Sequence, residues 1–303
     1  MTWEPNRLEQ ERLDKLATLE AAGINAYPAR VHRTHTAAQA IAAYEEAERS
    51  AASPETVPAI EVTVAGRIRR QNVKGKVSFL HIEDQSGRVQ LFLRVNDMDE
   101  ATYQLVREKL IEVDDFVQAS GTLMRTQAGE ISVRVHGLSL LSKALSPLPV
   151  IKQQVQDDGT IREFGEFSDT EARYRQRYAD LAVNHDVRDV FIQRAQVIRT
   201  IRQFMDSEGL LEVETPILQP VYGGAAARPF VTHHNQLDED LYLRISFELY
   251  LKRLLVGGYD GVYEIGRDFR NEGVSFKHNP EFTMVETYEA YVDYMHVAEM
   301  YER

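Results

Sequence analysis

The chain has 303 residues, 43% of them hydrophobic and 27% charged, enough for two domains with cores of their own. It has no cysteine, which excludes disulfides and thiolate metal sites. A net charge of -12 excludes a basic field over the whole molecule, and the charged opening residues, without an apolar run, predict no signal peptide or membrane span and hence a cytoplasmic protein.

Asn6 to Ala22 reads as a helix, with Asn6 as its cap, Leu13, Leu16 and Leu19 on one side, and Gly23 as the stop. Thr34 or Thr36 caps a second, Ala-rich helix ending near Ser50, and Ser53, Pro54 and Pro58 mark a linker. Residues 1–58 therefore form a helical extension. From Ile60 onward five strands are predicted: Glu61–Arg69, Val77–Asp84, Arg88–Val95, Phe116–Leu123 and Ile131–Leu141. A helix from Asp97 to Leu110 falls between the third and fourth. That order predicts an OB-fold barrel over 59–143. Between Ile60 and Val95 seven basic residues stand against three acidic, a local balance of +4 inside an acidic chain. Phe79 and His81 point away from Leu80 and Ile82, and Gln90 and Phe92 away from Val89, Leu91 and Leu93. An aromatic pair beside an amide on an outer face suits base stacking. The same placement also fits rings covered by loops or by a neighbouring domain.

Residues 144–180 read as a connector, stiffened by Pro147 and Pro149 and turning at Asp157-Asp158-Gly159. Asp186 to Glu208 is the most regular helix, with Val187, Val190, Phe191, Val197, Ile198, Ile201, Phe204 and Met205 at helical spacing. Gly209 ends it, and the strand Leu210–Val213 leads into Thr215-Pro216. Gly223 to Asn235 is a Gly/Ala-rich loop whose backbone can approach a ligand closely. Its His233-His234 pair predicts no metal site, because adjacent side chains diverge and no third ligand has metal spacing. Tyr242–Ile245 reads as a strand. A helix follows from near Phe247, with Glu248 in its first turn and Gly257-Gly258 as its stop. Val262–Phe269 and Phe282–Tyr291 are strands about the polar loop Asn271–Pro280, and Asp293 caps a helix from Tyr294. This pair of strands gathers Arg270, Glu272, Phe282, Glu286 and Tyr288. A guanidinium suits phosphate or carboxylate, a ring suits a flat base, and buried carboxylates suit a cation. A surface hairpin with ordinary charge pairs fits the same spacing.

The residues themselves add a resemblance. F-R-N-E, a loop, then H-N-P-E-F (Phe269 to Phe282) resembles motif 2 of the class II aminoacyl-tRNA synthetases, and among them the lysyl enzymes. E-V-E-T-P, ending at Pro216, resembles motif 1. Gly223–Asn235, Glu248–Arg253 and Glu171–Leu181 are similar to the same family, as is Lys76–Phe92 to its anticodon-binding domain. The resemblance implies an α+β fold: an OB-fold β-barrel, then the beginning of an antiparallel class II sheet with flanking helices over 181–303. It implies lysine activation by ATP and transfer to tRNA(Lys). Arg270 would bridge the lysine carboxylate and the α-phosphate, with Glu272 and Phe282 on adenine and His278 on the distal phosphates. Glu248, Glu286 and Tyr288 would hold lysine, with Gly224 near its backbone end. Phe79 and Gln90, with Arg67 as a third candidate, would read the anticodon. Pro216 would lie at a homodimer interface. Magnesium is expected with the ATP, its ligands lying with motif 3 beyond Arg303, so this chain is expected to be an incomplete catalytic domain. A tRNA-binding or dimerising chain without catalysis is the alternative, and aspartyl or asparaginyl specificity is opposed by Glu286. Phe247 stands where the family commonly has proline, and Gln71-Asn72 where it commonly has basic residues.

Overall fold

A computed structural model of the chain describes residues 3–53, 56–149 and 169–303, with the backbone of Lys152–Val155 and Ile161–Phe164. Pro54 and the turn Asp157-Asp158-Gly159 lie outside the described residues. Packing divides the chain into two units, Met1–Val183 and Asn184–Arg303.

The first unit begins with α1 (Arg7–Ala21) and α2 (Ala37–Ser50). Asn6 and Thr36 cap them as reciprocal boxes with Glu9 and Gln39, so orphan amides at both helix starts are satisfied. Five strands then close into a barrel: β1 (Glu61–Lys74), β2 (Val77–Asp84), β3 (Gly87–Arg94), β4 (Phe116–Arg125) and β5 (Ile131–Ser142). Their order is β1-β2-β3-β5-β4, with β3 and β5 parallel and β4 closing on β1. Strict alternation sends Val62, Val64, Ile68, Leu80, Ile82, Leu91, Leu93, Val117 and Val133 inward, all buried. Closure leaves no barrel edge unpaired.

Two boundaries differ from expectation. The helix after β3 is only α3 (Glu100–Arg107), preceded by a 3-10 turn at Val95–Asp97. Asp99, not a residue further back, caps it by accepting from Thr102 N at 2.9 Å. Asp97 is held instead by Arg94 and Arg134, at 2.6 and 2.8 Å. Lys109 in the left-handed region, φ 59°, stops the helix before Leu110. Second, β1 runs on to Lys74 because a bulge between Ile68 and Arg70 absorbs one residue without ending the pairing.

A buried charge cluster ties α1 to the barrel. Lys143, its side chain fully buried, lies 2.9 Å from Asp115 and 2.8 Å from Glu112, and Lys15 of α1 meets Glu112 at 2.7 Å. Asp115 also accepts from Glu112 N and Ala144 N, at 2.8 and 2.9 Å. Burial pushes the Asp115 carboxyl up, and Lys143 opposes that push. A hairpin of β6 (Lys152–Val155) and β7 (Ile161–Phe164) follows, within the predicted connector, and then α4 (Thr170–Arg175) and α5 (Arg177–Val183).

The second unit opens with α6 (His185–Ser207), ended by Gly209 at φ 84°. It leads into β8 (Leu211–Glu212) and β9 (Leu218–Gln219), then the hairpin β10 (Val231–His234) and β11 (Glu239–Leu243). Next come α7 (Glu248–Val256), the pair β12 (Gly261–Phe269) and β13 (Glu281–Glu289), and α8 (Tyr294–Glu302). One sheet has the order β13-β12-β8 and another β10-β11-β9. Met205 of α6 packs in a core with Leu210, Tyr263 and Met300, flanked by Ile201 and Phe204. Val190 and Val197 of the same helix stay exposed, at 61% and 58%, so only part of its apolar face enters this unit's core.

Candidate active site and nucleic-acid interface

On the barrel, the cross-strand partners Phe79 of β2 and Phe92 of β3 set their rings 5.4 Å apart and tilted by 52°. They line a cleft of about 680 Å³ with Arg70, Asn72, His81 and Gln90. Gln90 is only 8% exposed. Its Oε1 accepts from Ser132 Oγ at 2.8 Å, and its Nε2 donates to Glu130 Oε2 at 2.5 Å. The amide therefore stands in a fixed orientation in the cleft wall. His81 Nε2 lies 3.0 Å from the other Glu130 oxygen. The structure thus brings Phe79 and Gln90 together.

Arg67 is placed elsewhere. Its guanidinium lies 4.4 Å above the Phe116 ring and donates to the Asp114 carbonyl at 3.3 Å. The bulge after Ile68 shifts the alternation, so Arg70, paired with His81, and Asn72, paired with Phe79, take the positions beside the rings. Gln71 turns inward and donates to the Val106 and Ile111 carbonyls at 3.1 and 3.3 Å. The departure from basic residues at Gln71 therefore falls on a side chain that serves carbonyls at and after the end of α3. Part of the +4 balance is also consumed, since Arg94 pairs with Asp97, which lies beyond the counted stretch.

In the second unit the site is one face of the β12–β13 pair. Cross-strand partners are Val262 with Tyr288, Glu264 with Glu286, Gly266 with Met284 and Asp268 with Phe282. Arg270 lies just past the end of β12, its amide donating to the Pro280 carbonyl at 2.9 Å. Its guanidinium sits 5.1 Å from the Phe282 ring centroid, and its buried Nε has no hydrogen-bond partner. Glu272 and His278 stand on the exposed loop. Glu272 Oε1 accepts from Arg228 N at 3.4 Å, and His278 Nδ1 lies 2.8 Å from Ser275 Oγ.

Glu286 is oriented from above by the start of α7. Its Oε1 accepts from Ser246 Oγ at 2.8 Å and from Phe247 N at 3.3 Å, while its buried Oε2 has no partner. Phe247 therefore supplies a backbone donor that proline lacks. Glu248 is held by Lys252 at 2.6 Å. The Tyr288 hydroxyl is pushed up by burial and then by the carboxylates of Glu286 and Glu248, so it remains a neutral donor. Gly224, at φ 87°, brings its backbone against this group; a Cβ there would lie 2.7 Å from Glu248 Cβ and 2.8 Å from Ser246 Oγ.

Beneath these residues lies a buried network that sequence reasoning missed. Arg244 Nη1 lies 2.5 Å from Glu264 Oε1, and Arg244 Nε donates to the Arg267 carbonyl at 2.9 Å. Thr215 joins through its Oγ1, 2.6 Å from Glu264 Oε2. Phe247 stacks 4.2 Å from the guanidinium carbon. Gly266 makes room, since a Cβ there would lie 2.5 Å from Arg244 Nη2. Asp268 is fully buried, and neither of its oxygens has a hydrogen bond. Burial pushes its carboxyl from 3.8 to about 6; Arg244 lowers it and Glu286 raises it. Part of the signal was present, since Glu264, Gly266, Asp268 and Arg270 follow the same period of two, while nothing in the sequence marked Arg244.

Pro216 is exposed, next to Thr215 of this network. His233 and His234 sit on β10 rather than in a loop, because Val231–His234 pairs with Glu239–Tyr242. His233 Nδ1 lies 3.0 Å from Asp240, and His234 Nδ1 accepts from Leu237 N at 3.2 Å. Among the described residues no group of three or more His, Asp or Glu side chains is placed to hold a metal, and no helix is long and apolar enough to cross a membrane.

Comparison with known proteins agrees with both units. Residues 62–141 match the OB-fold nucleic acid binding domain, and residues 169–303 the class II tRNA synthetases (D, K and N). The chain is 52% identical over 292 residues to a lysine--tRNA ligase of Roseiflexus castenholzii, covering 96% of this chain and 55% of that protein. It is 50% identical over 295 residues to one from Dehalococcoides mccartyi, covering 97% and 56%. A lysine--tRNA ligase of Clostridium tetani is 46% identical over 300 residues, covering 99% and 55%. The chain thus spans about half the length of the relatives it matches. With the carboxylate-lined face of its β12–β13 sheet, the stretch 169–303 belongs to the class II tRNA synthetases, and the closed barrel at 62–141 to the OB-fold nucleic acid binding domains.

Proposed function

We propose that the chain is the anticodon-binding and motif 1–2 portion of a lysine--tRNA ligase, acting in the cytoplasm as a homodimer. The whole enzyme would activate lysine with ATP and attach it to tRNA(Lys). The observation that carries the amino-acid choice is Glu286: one oxygen is fixed by Ser246 and Phe247 N, and the other is buried without a partner. A buried carboxylate oxygen of that kind suits an ammonium group, which would otherwise lose its hydration uncompensated. Tyr288 and Glu248 complete the lysine pocket, and Gly224 lets the backbone approach the other end of the amino acid. An acidic amino acid would meet repulsion at this face.

Arg270 reaches the lysine carboxylate and the α-phosphate. Phe282 stacks on adenine, Glu272 takes its amino group, and His278 reaches the distal phosphates. A lysine carboxylate oxygen attacks the α-phosphorus, and the bond to pyrophosphate breaks with its electron pair leaving on pyrophosphate. No protein nucleophile is required; positioning and charge stabilisation carry the step. Magnesium is expected to travel with ATP as in the family. On the barrel, Phe79 stacks on an anticodon base whose edge Gln90 reads, with Arg70 supplying charge nearby. The exposed stretch of α6 about Val190 and Val197, with Pro216, is the face offered to a second copy.

The test is lysine-dependent ATP–pyrophosphate exchange in the enzyme. E286Q should raise the KM for lysine by about 30-fold or more, from a floor of ~2 kcal/mol for truncating one side of a buried charge pair, and leave the KM for ATP nearly unchanged. Equal changes in both would remove Glu286 from the lysine pocket.

A further inference from the structure

Two buried groups of opposite charge lack hydrogen-bond partners on the same strand face. Asp268 is fully buried, and both its oxygens are without a donor. Arg244 Nε lies 3.6 Å from it, but that N–H is committed to the Arg267 carbonyl. Two residues on, Arg270 buries its Nε with no acceptor. Residues i and i+2 of an extended strand share a face, so the two groups are neighbours. Buried polar groups in native proteins are hydrogen-bonded, and an exception calls for a reason. The charges that act on Asp268 are Arg244, ahead of α7, Glu264 and Arg270 along β12, and Glu286 on β13.

We propose that Asp268 is the positioning residue for Arg270, accepting its Nε–H when substrate draws the guanidinium away from the Phe282 ring. The inference rests on the reading of Arg270 as the ligand for carboxylate and α-phosphate. With Nε held from behind, the two terminal nitrogens face the substrate as a fork, the geometry in which a guanidinium binds such groups best. Without that hold, the guanidinium rests where the structure has it, 5.1 Å from the Phe282 ring. Asp268 would touch Arg270 and no substrate atom, so its effect would pass entirely through Arg270.

The experiment is a double-mutant cycle on the full-length protein, with a non-hydrolysable lysyl-adenylate analogue as the probe and calorimetry as the readout. D268N is close to isosteric, and its fold is checked by thermal melting. D268N should weaken binding by about 10-fold, the loss of one charge-assisted hydrogen bond, and should cause no further loss in an R270A background. Wild-type affinity should fall as the pH drops through about 6, where Asp268 takes up its proton, and D268N should lack that fall. A D268N factor that persists undiminished in R270A would overturn the inference, because Asp268 would then act through Arg244 or the fold. R270A with wild-type affinity would instead remove Arg270 from the site, and the inference with it.

Discussion

D268N should also stabilise the second unit, and the size of the gain follows from the carboxyl it removes. Asp268 ionises at about 6 in the folded chain against an ordinary 3.8. The native state therefore binds this proton more tightly than the unfolded state does, and ionising Asp268 costs stability. That cost is absent below pH 3.8 and fully present above about 6. A shift of about two units at ~1.4 kcal/mol each comes to roughly 3 kcal/mol at neutral pH. Asparagine keeps the shape and never ionises, so D268N should gain up to that amount at pH 7.5 and almost nothing near pH 4. Two units need not unfold together, so a global melt is a poor readout. Hydrogen exchange of peptides from β12 and β13 is local, and comparing variant with wild type at one pH cancels the intrinsic rate. The expected result is up to ~100-fold slower exchange in D268N at pH 7.5, shrinking toward none near pH 4. Faster exchange in D268N at pH 7.5 would refute the reasoning, because Arg244 would then more than compensate the buried carboxylate. A residue that costs stability while sharpening a ligand site is the trade that functional sites commonly make.

The remaining predictions concern the first unit. F79A should weaken binding of a U-rich anticodon stem-loop by roughly 1–3 kcal/mol, the usual loss of one stacking ring, measured at a single stated salt concentration; unchanged affinity with the barrel intact would detach the cleft from RNA. K143M should destabilise the first unit by about 3–5 kcal/mol in denaturant unfolding, because Asp115 would remain buried without its cation. Adding D115N to K143M should recover part of that loss, and a double variant no better than the single would show that packing rather than charge holds the cluster.

Much of this architecture was legible because alternation and capping are local. Asn6, Thr36 and Asp293 each cap the helix that follows them, and the barrel strands keep the faces their apolar residues predict. What escaped was set by partners distant in sequence. The start of α3 depended on Arg134, thirty-seven residues away, which claims Asp97. The strand Val231–His234 reads as loop alone and becomes a strand only against β11. At the candidate site, the motif residues were visible while Arg244 was not. Its role exists only because Gly266 leaves a vacancy and Glu264 and Thr215 meet it there. The exposed apolar stretch of α6 shows the opposite limit, since helical spacing cannot tell a face that meets its own core from one that does not.

The bulge between Ile68 and Arg70 acts on β1 as a phase shift. Upstream of it odd-numbered residues look outward, and downstream even-numbered ones do. Deleting Arg69 would remove the bulge and leave the downstream faces as they are, because Ile68 opposite Ile82 would run straight on to Arg70 opposite His81. A slip that instead paired Arg69 with His81 would drive Arg70 and Asn72 toward the barrel interior, and Gln71 would leave the carbonyls it serves near α3. The cleft is thus not portable as a set of side chains. Transplanting Phe79, Gln90 and Arg70 into another five-stranded barrel would require the arginine to stand opposite the residue in the place of His81, with or without a bulge before it. An alignment that threads β1 straight through from its first residues would match Arg69 to the position that Arg70 holds.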